Sequence, residues 1–200
     1  MHAPAPGSLS MHCATRLFAL AGVLLTTGCA QITMGPPQPT VENTQALRGS
    51  PLAPAQVGVF TVEAGKPAAM DRSHALRGAN SVQSPIQGSF AQYLRESLVV
   101  ELDAAGLLRP GAQTVITGTL LHSTVDPAMG TGTASLQARF VVTRSGQQRY
   151  AKALGAHAEW ESSFLAAVAV PLAAAHYQGL YRQLVGQLVS DPDFRRALAP

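Results

Sequence analysis

Cys29 closes an apolar run that starts at Leu17, follows the cation Arg16, and ends in the small residues Thr26, Thr27 and Gly28. A charged step, a short apolar core and small residues before a cut site make a secretory signal. A thiol would therefore stand first on the exported chain. The run from Leu17 to Leu25 is nine residues, against about 20 for a membrane-spanning helix, so residues 1–28 read as a cleaved signal peptide. Met11 offers a second start within it. No other stretch carries a reaction motif. The sequence contains no nucleophile elbow, no zinc-binding His-Glu-x-x-His, no phosphate loop and no paired cysteines, so we expect no catalytic residue, no cofactor and no metal. Gly130-Thr131-Gly132-Thr133 is glycine-rich but precedes no helix, and phosphate binding needs a helix N-terminus. It reads as a turn. His157 and Glu159 share a strand face, with His122 and Asp126 on a neighbouring strand, but zinc needs three or four converging ligands and local spacing fixes one pair.

The sequence around Cys29 resembles the lipobox of bacterial lipoproteins, with Thr26 where that family most often has Leu. The resemblance implies a diacylglyceryl thioether on Cys29 and cleavage after Gly28. Ala30 in place of Asp implies delivery to the periplasmic face of the outer membrane. One acyl chain binds only marginally, and the two or three chains of a mature lipoprotein make a lasting anchor.

Two further groups are candidates for contact. Lys66, Arg72, His74 and Arg77 fall within twelve residues of otherwise patternless chain, and would suit lipid phosphates or peptidoglycan carboxylates. Trp160-Glu161-Ser162-Ser163-Phe164 is a dense corner whose aromatic residues suit either core anchoring or a partner-binding groove.

The elements that must position these residues follow from periodicity. Residues 29–55 are rich in Pro, Thr, Gln and Gly and read as a flexible tether, with 40–47 the part best suited to pack as an edge strand. Residues 56–63 alternate as a strand, and 64–83 read as a long loop. Ser84-Pro85-Ile86-Gln87 has the form of a capping box opening a helix with Phe90, Leu94, Leu98, Leu102 and Ala105 on its apolar stripe. Arg95, Glu96, Glu101 and Asp103 lie off that stripe. Gly106 and Leu107 suit a left-handed cap. Strands follow at 114–125, 134–144 and 148–160, with Leu136, Ala138, Phe140 and Val142 inward, and with Tyr150, Leu154, Ala156, Ala158 and Trp160 on one side. His122 is expected on the same side as Ile116, Gly118 and Leu120. Thr117, Thr119, Ser135, Gln137, Arg139 and Thr143 give the sheet a wettable opposite face. In the tail, Pro171 should kink or restart a helix carrying Tyr177, Leu180, Tyr181, Leu184 and Leu188, and Asp191-Pro192 should end it. The fold class is thus α+β, in the order β-α-β-β-β-α, with a mainly antiparallel four-stranded sheet and two helices on one face. Residues 56–200 form one domain.

Composition narrows function further. Losing residues 1–28 removes one cation, so the 14 cations and 11 acids become 13 and 11, a net charge of +2. That is too little for a nucleic-acid partner. Cys13 departs with the signal and Cys29 is modified, so no disulfide holds the body. Thr117-Gly118-Thr119-Leu120, Phe140-Val141-Val142-Thr143-Arg144 and the Trp160 corner, after a lipobox and tether, are similar to small proteobacterial outer-membrane lipoproteins. These include the YajG type and the auxiliary lipoproteins of ABC-type envelope transport systems. The resemblance implies a non-enzymatic binding or scaffold module contacting envelope proteins or peptidoglycan. Its alternative is a subunit of a lipid or lipopolysaccharide transport assembly.

Overall fold

The computed structural model describes residue 2 and residues 31–49 and 51–200. Residue 2 apart, the segment expected to be a signal peptide lies outside the described residues, as do Cys29 and Ala30.

The main sheet is built from β2 (Gln56–Val62), β5 (Thr114–Asp126), β6 (Gly130–Arg144) and β7 (Gln147–Ser162), in the order β2-β5-β6-β7. β2 runs parallel to β5, and the β5–β6 and β6–β7 pairs are antiparallel. The sheet is therefore mixed. Its inward face carries Ile116, Leu120, Leu136, Ala138, Phe140 and Val142, all buried. Two glycines make room for rings lying across their neighbours. A Cβ on Gly118 would fall 2.3 Å from Cε1 of Phe60, and one on Gly132 would fall 2.3 Å from Cε2 of Trp160. The glycine-rich stretch expected as a turn is thus the start of β6, with Gly132 opposite Trp160.

Helix α3 (Phe90–Ala104) packs on β2, and α4 (Ala166–Ser190) packs on β6 and β7. The stripe Phe90, Leu94, Leu98 and Leu102 is fully buried. Gly106, at φ +75°, ends α3, and the Leu107 N–H donates to the Leu102 carbonyl at 2.8 Å, which is the left-handed cap expected. The start differs from expectation. Ser84 Oγ accepts from Ile86 N in a local turn, and Ser89 Oγ caps the helix by accepting from Gln92 N. Gln87 and Gly88 have φ of +53° and +61°, and two left-handed residues in succession cannot continue a right-handed helix.

α4 does not restart at Pro171 but runs as one helix through it. The proline sits early, and the carbonyl it leaves without a partner belongs to Ala167, which is exposed and can be hydrated. The remaining turns are held by buried Ala173, Tyr177, Leu180, Tyr181, Leu184 and Leu188. Asp191 then ends α4 and caps α5 (Pro192–Ala197) by accepting from Asp193 N at 2.9 Å.

Two segments read as unstructured are folded. Residues expected as tether form β1 (Gln31–Thr33) and α1 (Val41–Arg48), and Met34, Leu47 and Ala55 are buried. Residues 64–83, expected as a loop, form α2 (Ala69–Arg72), β3 (Ser73–Ala75) and β4 (Ser81–Gln83). β1, β4 and β3 make a second, three-stranded sheet in that order. Three-residue strands show no alternation, and β1 finds its partner β4 50 residues away, so periodicity could not reveal them.

Candidate functional site

A bulge creates the most reactive-looking constellation. The β5–β6 register shifts between Leu120 and His122, and one extra residue reverses which side chains face inward. His122, which strict alternation puts on the side of Ile116 and Leu120, is exposed, as a polar residue of the open sheet face should be, whereas Ser123 is buried. Ser123 Oγ lies 2.8 Å from His74 Nε2 and 2.5 Å from Tyr177 OH, and Tyr177 OH lies 2.8 Å from Tyr181 OH. The His74 ring stacks on Phe90, with centroids 4.9 Å apart and planes within 4°. Burial, with a smaller repulsion from His122, lowers the His74 pKa to about 4. Burial raises both tyrosine hydroxyls well above their ordinary value. At neutral pH the group is therefore an uncharged chain of hydrogen bonds.

A serine beside a neutral imidazole is the pairing that nucleophilic catalysis uses. Here the serine is 3 % exposed and is shared with a second hydroxyl. Its role is to fasten β3 to β5 and α4. Sequence reasoning missed Ser123 and Tyr177 as partners of His74, and Tyr181 behind them, because the bulge, which no local pattern announces, sets the direction of Ser123.

The four cationic or titratable residues expected to act together go to separate places. Lys66 is exposed and pairs with Glu63 at 3.6 Å. Arg72 donates to the Gln87 carbonyl at 3.4 Å, and His74 is in the network above. Arg77 reaches the Trp160 corner. Its Nε donates to the Pro127 carbonyl at 2.5 Å, Nη1 to the carbonyls of Ser163 and Phe164 at 2.5 and 3.2 Å, and Nη2 to Ser162 Oγ at 3.2 Å. This guanidinium binds the β3–β4 turn to the β5–β6 turn and to the β7–α4 junction, using donors that would otherwise meet an anion.

Trp160 is 8 % exposed and stacks on His176, with centroids 4.5 Å apart. Its role is core anchoring, although its Nε1 is buried without a partner. Phe164 is its opposite, 79 % exposed at the head of α4. Beside Trp160, an open cleft of ≈ 450 Å³ between β7 and α4 is lined by Ala158, Leu172, Ala175, His176, Gly179 and Leu180, among others. His122 and His157 border a smaller hollow of ≈ 290 Å³ on the open sheet face. Among the described residues no three His, Cys, Asp or Glu side chains gather as metal ligands.

The two edges of the main sheet differ. Along β2, Arg95 donates to the carbonyls of Val57 and Gly58 at 3.2 and 3.0 Å, and Gln92 Nε2 donates to the Phe60 carbonyl at 2.8 Å. Helix α3 thereby covers that edge. β7, 16 residues long, ends the sheet on the other side, and no described side chain does the same for its backbone. Ala151, Ala153, Gly155, His157, Glu159 and Glu161 along it are exposed.

No protein-family model matches the sequence, and no curated protein matches it. Solved structures do. A DUF330 protein from Xanthomonas campestris superposes with a TM-score of 0.58 at 11 % identity, over 80 % of this chain and 93 % of that one. A minor lipoprotein from Acinetobacter baumannii aligns with a TM-score of 0.44 at 14 % identity, over 73 % of this chain and 96 % of its own. The first likeness shows that the two chains share a fold. No described helix is long and apolar enough to cross a membrane.

Proposed function

We propose that this chain is a lipid-anchored, non-enzymatic binding module of the periplasmic face of the outer membrane, and that it receives an extended segment of an envelope protein along β7. The observation that carries the reading is the asymmetry of the sheet edges. β2 has its carbonyls capped from α3, whereas along the 16 residues of β7 the N–H and C=O groups of alternate residues, those turned away from β6, meet no described side chain. Such a row is a template for strand addition, in which main-chain hydrogen bonds supply affinity and alternate side chains supply selectivity. Small side chains at Ala151, Ala153 and Gly155 leave the approach clear. The sealed Ser123–His74 contact supports a role without catalysis. An envelope protein is favoured over peptidoglycan because Arg77 is engaged with four acceptors and does not converge with Lys66 and Arg72. The anchor reading rests on Cys29 and its flanking residues.

The test is a photo-crosslinking residue at Ala153 or His157 of the full chain in its native envelope, with Thr119 on the central strand as control. Adducts with one envelope protein at both edge positions and none at Thr119 are expected. Equal labelling at all three would overturn the edge reading. Intact mass of the membrane-extracted chain tests the thioether separately.

The cleft between β7 and α4 favours a second reading, an auxiliary subunit of a lipid or lipopolysaccharide transport assembly. It offers an apolar floor of Leu172, Leu180 and Ala158. Co-purification with transporter subunits distinguishes it from the first.

A further inference from the structure

Six large apolar side chains are left exposed among the described residues, and four of them gather at one end. Met129 is 68 %, Phe164 79 %, Leu165 68 % and Val168 52 % exposed, whereas Val41 and Val59 stand elsewhere. Met129 lies in the β5–β6 turn, Phe164 and Leu165 lead into α4, and Val168 is in its first turn. The Arg77 guanidinium holds these two segments together through Pro127 O, Ser163 O and Phe164 O. Gly130 pairs with Ser162 directly behind them. An apolar group maintained in water by a buried-side clamp marks a contact surface rather than a packing fault.

The path of the chain identifies the occupant. β1 is parallel to β4 with Gln31 opposite Ser81, and β4 is antiparallel to β3 with Ser81 opposite Ala75. The β3–β4 turn is closed by Leu76 N donating to the Asn80 carbonyl at 2.8 Å, and Arg77 lies in that turn. The chain therefore enters β1 at the end where Arg77 grips the apolar group. One residue, Ala30, separates Gln31 from Cys29. At 3.8 Å per Cα step, two steps of chain reach no further than about 8 Å from Gln31.

We propose that this end is a membrane-contacting tip, with Met129, Phe164, Leu165 and Val168 entering the lipid interface beside the acyl chains of Cys29. The inference rests on the lipid-anchor reading given above. Without a tether, the anchor holds the body at the bilayer, and the tip decides which end meets it. Exposed Asp126 and Glu161 flank the tip, and Arg77 has its donors engaged, so the surface suits zwitterionic rather than anionic headgroups.

The mature chain has no thiol besides Cys29, so a single new cysteine can carry a nitroxide or fluorescent label. We would label Phe164→Cys, Met129→Cys and, at the opposite hairpin, Gln147→Cys in the full lipidated chain, reconstituted in phosphatidylcholine vesicles. Doxyl-lipid quenching at 129 and 164 at least fivefold stronger than at 147 is expected. Equal quenching at all three overturns the tip, as does label-to-label broadening at 164, which would make it an interface between copies. Mass spectrometry of the same sample reports Cys29 acylation, so loss of the anchor is read apart from loss of the tip. Vesicle binding by the Cys29→Ala chain gives a second measure. Phe164→Ser with Leu165→Ser should weaken it about tenfold, and an unchanged affinity overturns the proposal.

Discussion

Asn43 and Glu101, 58 positions apart, meet inside the molecule, with Asn43 Nδ2 donating to Glu101 Oε1 at 2.8 Å. The same oxygen accepts from Thr40 N and Thr40 Oγ1 at 3.0 and 3.1 Å. One carboxylate on α3 thus holds the start of α1, and Glu101 is 1 % exposed although it lies off the apolar stripe of its helix. On its far side Asn43 meets α4 at Gly186, where a Cβ would come within 2.9 Å of Asn43 Oδ1.

Glu101→Ala should destabilise the fold by about 3 kcal/mol, because it takes the acceptor from the part-buried Thr40 donors and leaves the buried Asn43 amide only its long bond to the Arg182 carbonyl at 3.4 Å. Glu101→Gln retains Oε1 and should cost about 1 kcal/mol. Urea unfolding would show this as a lowered midpoint with an unchanged slope. An unaltered midpoint in the alanine variant would remove Glu101 from the account of α1.

Gly132→Ala places a methyl group 2.3 Å from Cε2 of Trp160. The obstacle is a ring rather than the end of a flexible chain, so the indole must leave its site against His176. We expect a loss of about 2 kcal/mol. Trp160 is the one tryptophan of the chain, so its emission should move to longer wavelength as it gains water. Unchanged emission and stability together would refute the packing described.

Stability should fall as pH drops from about 6.5 toward 4. His74 has its pKa lowered from 6.5 to about 4, so in this window the unfolded chain binds a proton that the folded chain refuses. The contribution is complete above pH 6.5 and amounts to up to about 3 kcal/mol. Urea midpoints at pH 7.5, 5.5 and 4.5 should decline, and His74→Phe should flatten the decline. Asp191 acts in a lower window. Burial pushes its carboxyl up, but bonds from Lys152 and Tyr150 prevail and hold it below the ordinary 3.8. Its contribution is therefore present above about pH 3.8 and is lost below it.

Local order was legible where one segment carries its own pattern. The buried stripe of α3, the Gly106 cap, the long alternation of β6 and the Asp191-Pro192 boundary could all be read from neighbours a few residues apart. Glu101 could not. Its polarity places it outside, and only the arrival of α1 across its face makes burial favourable by supplying donors. Arg77 is a similar case, because its acceptors come from two turns and a helix start that are distant in sequence.

The amino-acid order alone determined the signal-like run ending at Cys29, the α+β class, the helix with its cap and the three long strands, since each depends on periods of two or 3.6 residues and on backbone preferences of Gly and Pro. The tertiary structure decided the rest. It folded α1 onto α3 and α4 and paired β1 with β4, made the sheet mixed through a parallel β2, reversed Ser123 and His122 at a bulge, and gathered four exposed apolar side chains at the end where the chain enters β1. These features arise from pairing between strands and side chains far apart in sequence. The energy that selects them exists only once both partners are present.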